Sequence, residues 1–247
     1  MKYSAVIIAK NEERTIERCI TSAKKVTDDV ILVLDDNSTD NTGQIALEHG
    51  AKVFTYKWSG YSATKNFGVT KASHDWIICI DADEILDDAL ISALRTITPS
   101  PNSAYLVNRL TYFGDYAVKY CGWHPDWVIR LYHKNVMKWN NSEVHEKLVS
   151  DQDIKNEKLP GLLYHYSFQS EDDMKMKFDR YARLRAEEWK KDGKEPSFIK
   201  KVLGPYFRFF RTYILKLGIL DGKVGFMISK NEFILKSKEI SYYKALR

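Results

Sequence analysis

SAVIIAKNEE, residues 4–13, decides how the chain is read: an apolar run stops abruptly at Lys10, and acidic residues follow. Two further runs repeat the pattern, VILVL at 30–34 before Asp35-Asp36 and WIICI at 76–80 before Asp81. Short continuous apolar runs with polar ends suit strands buried on both faces of a parallel sheet. Between the first two, Ile16, Cys19, Ile20 and Ala23 recur at helical spacing, with Glu12 and Glu13 favouring a helix start. Helices are also expected over 41–49 and 62–71, flanking a strand at 52–56. Successive strand–helix units predict a Rossmann-like α/β domain. Beyond Asp83 the pattern predicts a helix over 85–94, then short aromatic-rich strands to about residue 163, then helices.

The 247 residues are 44% hydrophobic and 29% charged, with 12 Gly and 6 Pro. That composition excludes wholesale disorder, collagen-like repetition and a disulfide-stapled miniprotein. Cys19, Cys79 and Cys121 have no metal-ligand spacing and are expected as reduced thiols. The opening residues carry too short an apolar core for a signal peptide, and no run of about 18 apolar residues is present. These features point to a cytoplasmic chain whose membrane contact is peripheral. The net charge of +5 is uneven: from Glu171 onward there are 19 Lys+Arg against 11 Asp+Glu, which leaves −3 on everything before Glu171. An anionic partner is therefore expected at the C-terminal end.

In an open parallel sheet, ligands bind beyond the carboxyl ends of the strands. Those ends carry Ala9-Lys10-Asn11-Glu12, Asp35-Asp36-Asn37-Ser38 and Asp81-Ala82-Asp83-Glu84. The acceptors suit base and ribose donors. Asp81 and Asp83 are two apart, so in extended chain both carboxylates face one side, as hard ligands for a divalent cation. Alternatively, Asp83 merely caps the following helix.

VIIAKNEE (6–13), VLDDNSTDNT (33–42), GYSATKNFG (60–68) and CIDADE (79–84) follow one another at the ends of successive units. Together they resemble family 2 of the glycosyltransferases, inverting enzymes of the GT-A fold with a mixed sheet. The resemblance implies a nucleoside pocket lined by Ala9, Asn11 and Glu12, with Asp36 accepting from uracil. It implies Lys65 and Asn66 beside the diphosphate, Asp81 at the ribose or a Mn or Mg ion, and Asp83 on that ion. CGWHPDWVIRLYHKN (121–135), WNNSEVHEKL (139–148), LLYHYSFQS (162–170) and YILKLGILDGKVGF (213–226) are similar to the subfamily that adds glucose to the inner core of lipopolysaccharide.

Direct displacement with inversion needs a carboxylate to take the acceptor proton. The family pattern favours Glu146, with Glu143 second. His145 is a candidate third metal ligand or diphosphate donor, or simply a hydrogen-bonded side chain. Trp123, His124, Trp127 and Arg130 are expected on the acceptor side, where flat rings meet sugars and arginine meets phosphate; a Trp-rich core wall is the competing reading.

Three regions follow: 1–95 for the nucleotide sugar, 96–169 for the acceptor within the same catalytic domain, and 170–247 as a basic helical extension. On a helix, residues 198–217 place Val202, Leu203, Tyr206, Phe207, Phe209, Phe210, Tyr213, Ile214 and Leu217 on one arc. Lys200, Lys201, Arg208, Arg211 and Lys216 fill the other. Gly204-Pro205 is a candidate break. Such a face suits anionic lipid, or packing on the catalytic domain. The expected activity is metal-dependent transfer of a hexose, glucose foremost, from a UDP-sugar to a lipid-linked saccharide such as inner-core heptose. The alternatives are a transferase for another surface polysaccharide or glycolipid, a nucleotidyltransferase, or a polyanion-binding protein. Nucleic acid is not expected as a partner.

Overall fold

The computed structural model describes residues 2–140, 146–193, 195 and 197–246. The chain opens with β1 (Tyr3–Ala9), α1 (Ile16–Lys24), β2 (Asp29–Asp35), α2 (Thr42–Glu48), β3 (Lys52–Tyr56), α3 (Tyr61–Thr70) and β4 (Trp76–Asp81). These are the expected alternating units. β3, β2, β1 and β4 lie side by side and parallel. Every residue of β1 is buried, and its two faces feed separate cores. Ala5 and Ile7 pack with Ile16 and Ile20 of α1, whereas Val6 and Ile8 pack with Val33, Cys79 and Trp139. A strand buried on both sides cannot alternate polar and apolar residues, which is why its sequence is a continuous run.

The sheet then turns mixed. β5 (Glu84–Leu86), α4 (Asp88–Thr96), β6 (Ser103–Phe113), β7 (Tyr116–Ala117), β8 (Asp126–His133), β9 (Lys138–Trp139), β10 (Leu148–Val149) and β11 (Lys155–Phe168) complete the β structure. The strand order is β3-β2-β1-β4-β8-β6-β11-β5, with β7 on β6; β9 and β10 form a separate antiparallel pair. β8 runs antiparallel to both β4 and β6. This α/β architecture with a mixed sheet and a helical C-terminal part is the expected fold class.

One element differs from expectation. Glu84–Leu86 is a strand paired with Leu163, Tyr164 and His165 of β11, and the helix begins only after Asp87. The cap is the Asp87 side chain, which accepts from Leu90 N at 2.7 Å, so Asp83 does not cap that helix. So short a strand, paired with a partner far along the chain, has no local signature.

The chain divides into two compact units, residues 1–109 with 126–165, and residues 110–125 with 166–247. The second unit holds α5 (Glu171–Lys191), α6 (Phe198–Phe210) and α7 (Gly222–Ala245). Its core gathers Phe168, Met174, Phe178, Ala182, Ile228 and Leu235. Buried Asp221 fastens the 116–120 segment there, accepting from Tyr116 Oη, Lys119 N and Tyr120 N. α6 runs through Gly204-Pro205 without stopping and continues as a π-helical turn over Arg211–Leu215. The helical path ends at Leu217, whose φ of 54° is left-handed. No helix among the described residues is long and apolar enough to cross a membrane.

Candidate active site

α3 is drawn tightly onto the sheet at Gly68, where a Cβ would lie 2.5 Å from Val6 Cγ1 and 2.9 Å from Val33 Cγ2. One turn earlier, Lys65 is 1% exposed. Its Nζ stands 2.9 Å from Glu146 Oε1, 3.3 Å from Asp81 Oδ1, and 4.5 Å from the centre of the Trp139 ring. Burial disfavours the ammonium, yet Asp81 and Glu146 outweigh it and raise its pKa above the ordinary lysine value. The ammonium is a fixed charge that joins the end of β4 to the segment between β9 and β10.

Asp81 ends β4 and meets a second cation, Arg130 NH2, at 2.7 Å from Oδ2. Burial acts to raise its pKa, but Arg130 and Lys65 hold it well below the usual carboxylate range. Arg130 of β8 also reaches Glu84, which is fully buried and takes Arg109 NH1 at 3.4 Å. Glu84 Oε2 in turn accepts from Asp81 N at 3.0 Å. Both oxygens of Asp81 are thus occupied by cations. Asp83, two residues on, instead faces His165 of β11, Nε2 to Oδ2 at 3.3 Å.

Glu146 is delivered by the β9–β10 pair. Asn140 N donates to Lys147 O, and Lys147 N donates back to Asn140 Oδ1. One Glu146 oxygen takes the lysine. The other, Oε2, is buried without a hydrogen-bond partner among the described residues. Glu143 and His145 lie outside the described residues.

At the neighbouring strand ends, Asn11 adopts φ 55° and its Oδ1 accepts from Thr39 N at 2.8 Å. Glu12 N donates to Thr42 Oγ1 at 2.7 Å. Ala9 closes β1 beside them. Asp36 is exposed, held through its backbone N to Tyr56 O and taking Asn37 Nδ2 on its carboxylate. Asn66, expected at a diphosphate, makes a two-way amide clamp with the Trp139 backbone, at 2.9 and 3.1 Å.

The residues expected at the acceptor belong to both units. Arg130 is buried among the strand-end carboxylates, and Trp127 carries Lys158 Nζ 4.3 Å over its ring, both in the first unit. Trp123 and His124 belong to the second, where the Trp123 ring lies 5.4 Å from that of Phe168.

The sequence reading missed His165, Arg109 and the burial of Glu84. Glu84 had a signal in its place directly after Asp-Ala-Asp, and His165 in its place within LLYHYSFQS; Arg109 had none. Among the described residues, no three His, Cys, Asp or Glu side chains converge as a metal cage. The chain offers a pair, Asp83 and His165, of carboxylate oxygen and imidazole nitrogen.

An α/β sheet whose strand ends gather acidic side chains, with a carboxylate held beside them by a buried lysine, defines a class that binds a polar ligand beyond the carboxyl ends of its strands. Residues 4–149 match the family model "Glycosyl transferase family 2", and the chain belongs to that family. It is 34% identical to an uncharacterized glycosyltransferase of Rickettsia typhi, over 92% of this chain and 82% of that one. It is 30% identical to the lipopolysaccharide core biosynthesis glycosyltransferase LpsC of Rhizobium meliloti, over 86% of this chain and 81% of the other. A solved S. aureus TarS 1-349 structure in complex with UDP-GlcNAc aligns over 100% of this chain and 90% of its own, at 16% identity and a TM-score of 0.46.

Proposed function

We propose that this glycosyltransferase moves a hexose, glucose foremost, from a UDP-sugar to a lipid-linked saccharide such as inner-core heptose, with inversion. The observation that carries the reading is Glu146: one carboxylate oxygen is fixed by Lys65, and the other is buried with no donor among the described residues. A base needs an oxygen that no other donor occupies and that the acceptor hydroxyl reaches. It takes the proton from an acceptor hydroxyl as that oxygen bonds to the anomeric carbon and the bond from that carbon to the phosphate oxygen breaks, releasing UDP. Lys65 and Arg130 are paired with Asp81, Glu84 and Glu146, and so fix these carboxylates beside the strand ends. Asn11, Glu12 and Asp36 supply acceptors for the nucleoside.

Asp83 with His165 would hold a Mn or Mg ion, which would neutralise charge on the leaving diphosphate. Asp81, bound by two cations, is better suited to the ribose or to organising Lys65 and Arg130. The name of the Rhizobium relative supports a lipopolysaccharide-core acceptor. A lipid-borne acceptor agrees with the outward face of α6, where Phe198, Ile199, Leu203 and Phe207 are each more than half exposed. That face suits peripheral docking on an anionic membrane.

The test is release of nucleotide from UDP-glucose, UDP-galactose, UDP-N-acetylglucosamine and GDP-mannose, with and without Mn, in the presence of core saccharide. UDP-glucose is expected to be turned over fastest. Failure to bind any UDP-sugar would overturn the reading.

A further inference from the structure

Within the helical unit, and formed by its residues alone, lies a cavity of about 180 Å³ whose walls include Trp123, Arg208, Arg211, Thr212, Lys216 and Glu232. Its charge is unbalanced. Arg208 Nε donates to Glu232, which cancels one cation. Arg211 and Lys216 have no acidic partner among the described residues, so neither charge is paired at the wall; the nearby carboxylate of Asp221, which meets the wall residue Cys121, is engaged by Tyr116 Oη, Lys119 N and Tyr120 N. Thr212, 6% exposed, adds a hydroxyl. At Gly122 on the wall, φ is 79° and a Cβ would stand 3.3 Å from Lys216 Cγ and Cδ, so bare backbone lets the lysine stem lie against it. Two cations and a hydroxyl around a small concavity are the donors a tetrahedral oxyanion requires.

The same turn is apolar on its outside. Ile214, Leu215 and Leu217 are 42, 57 and 49% exposed, and Phe207 and Phe210 continue that surface along α6. A free inorganic anion has no use for such a surface. An amphiphile does, with its headgroup in the cavity and its hydrocarbon in the bilayer that the exposed apolar residues of this helix meet. Two unpaired cations match a phosphomonoester, which carries about −1.5 to −2 near neutral pH, better than a singly charged diester.

We propose that this cavity receives the phosphomonoester headgroup of a membrane amphiphile and so fixes how α6 docks on the lipid surface. The inference rests on the docking reading above, and adds to it a preference among headgroups that diffuse attraction does not provide.

The experiment is co-sedimentation of the full chain with phosphatidylcholine vesicles doped with phosphatidic acid or with phosphatidylglycerol, matched in surface potential. Calorimetry with glycerol phosphate forms a second arm. Phosphatidic acid vesicles are expected to bind about fivefold more tightly, roughly 1 kcal/mol. Arg211→Gln with Lys216→Gln is expected to abolish that preference while melting like the parent. Lys200→Gln with Lys223→Gln, two exposed cations elsewhere in the unit, lowers binding to both vesicles alike and keeps the preference. Equal binding to the two vesicles, or a preference that survives the cavity variant, overturns the proposal and leaves docking intact. Absence of binding to any vesicle overturns docking as well. Glycerol phosphate binding that depends on Arg211 and Lys216, without vesicle binding, would make the cavity a site for soluble phosphates and overturn the lipid source.

Discussion

Lys65 is the residue on which the candidate site turns, since among the described residues it alone pairs with both Asp81 and Glu146. Removing one member of a buried ion pair leaves uncompensated charge and costs about 3–5 kcal/mol. Lys65→Ala is therefore expected to lower unfolding free energy by that order in urea denaturation. Glu146→Gln tests a different property. It keeps the side-chain shape and an acceptor for Lys65 but removes the base, so UDP-sugar affinity should persist while transfer falls about 10²- to 10⁴-fold. Loss of donor binding with no selective loss of transfer would remove Glu146 from that role. Asp29 reports on pH. Burial opposes its charge, but Lys52 at 2.7 Å, Ser4 and the Ser73 amide at 2.9 Å lower its pKa to about 2. Its folded value lies below the unfolded carboxylate value of about 3.9. Its stabilisation is thus full above the unfolded value and disappears as pH falls through about 2. Asp29→Asn should be less stable than the parent at neutral pH, with the two denaturation midpoints converging below pH 2.

At the scale of elements, α3 carries Lys65 into the site because Gly68 lets the helix lie against β1 and β2, where any side chain would overlap Val6 and Val33. α6 shows a looser relation to its neighbour. Phe209 and Tyr213 reach the Phe226 ring of α7 at 6.0 and 5.8 Å, and Tyr206 reaches Phe233 at 5.1 Å, whereas Phe207 is 59% exposed. Phe209→Ser should lower the melting temperature. Phe207→Ser should leave it nearly unchanged and weaken vesicle binding instead, and an equal melting loss in both would show Phe207 to be a packing residue.

For the molecule as a whole, charge is divided along the chain, with 19 basic against 11 acidic residues from Glu171 onward. If docking joins this charge to the apolar face of α6, the two contributions respond differently to salt. Each cation near an anionic surface contributes about 1 kcal/mol and is screened within a Debye length of about 8 Å at 0.15 M salt, whereas apolar insertion is not screened. Binding to anionic vesicles should therefore decline with added salt to a plateau above zero. Complete loss at high salt would mean that no apolar residue inserts.

The sequence by itself determined the alternating strands and helices from β1 to β4, because strands buried on both faces leave continuous apolar runs and helices leave a 3.6-residue period. It also determined the carboxylates at the strand ends, since chain direction in a parallel sheet fixes which loops meet. Only the tertiary structure decided what those carboxylates face. Asp81 and Asp83, neighbours but one in sequence, diverge to Arg130 with Lys65 and to His165, partners carried by three other elements. It also decided that Glu84–Leu86 is a strand, that Glu146 keeps one oxygen without a donor among the described residues, and that Arg211 and Lys216 share a cavity with Trp123. Local pattern records which way a side chain points along its own element, whereas burial, pairing and charge compensation are set by segments that come together only when the chain folds.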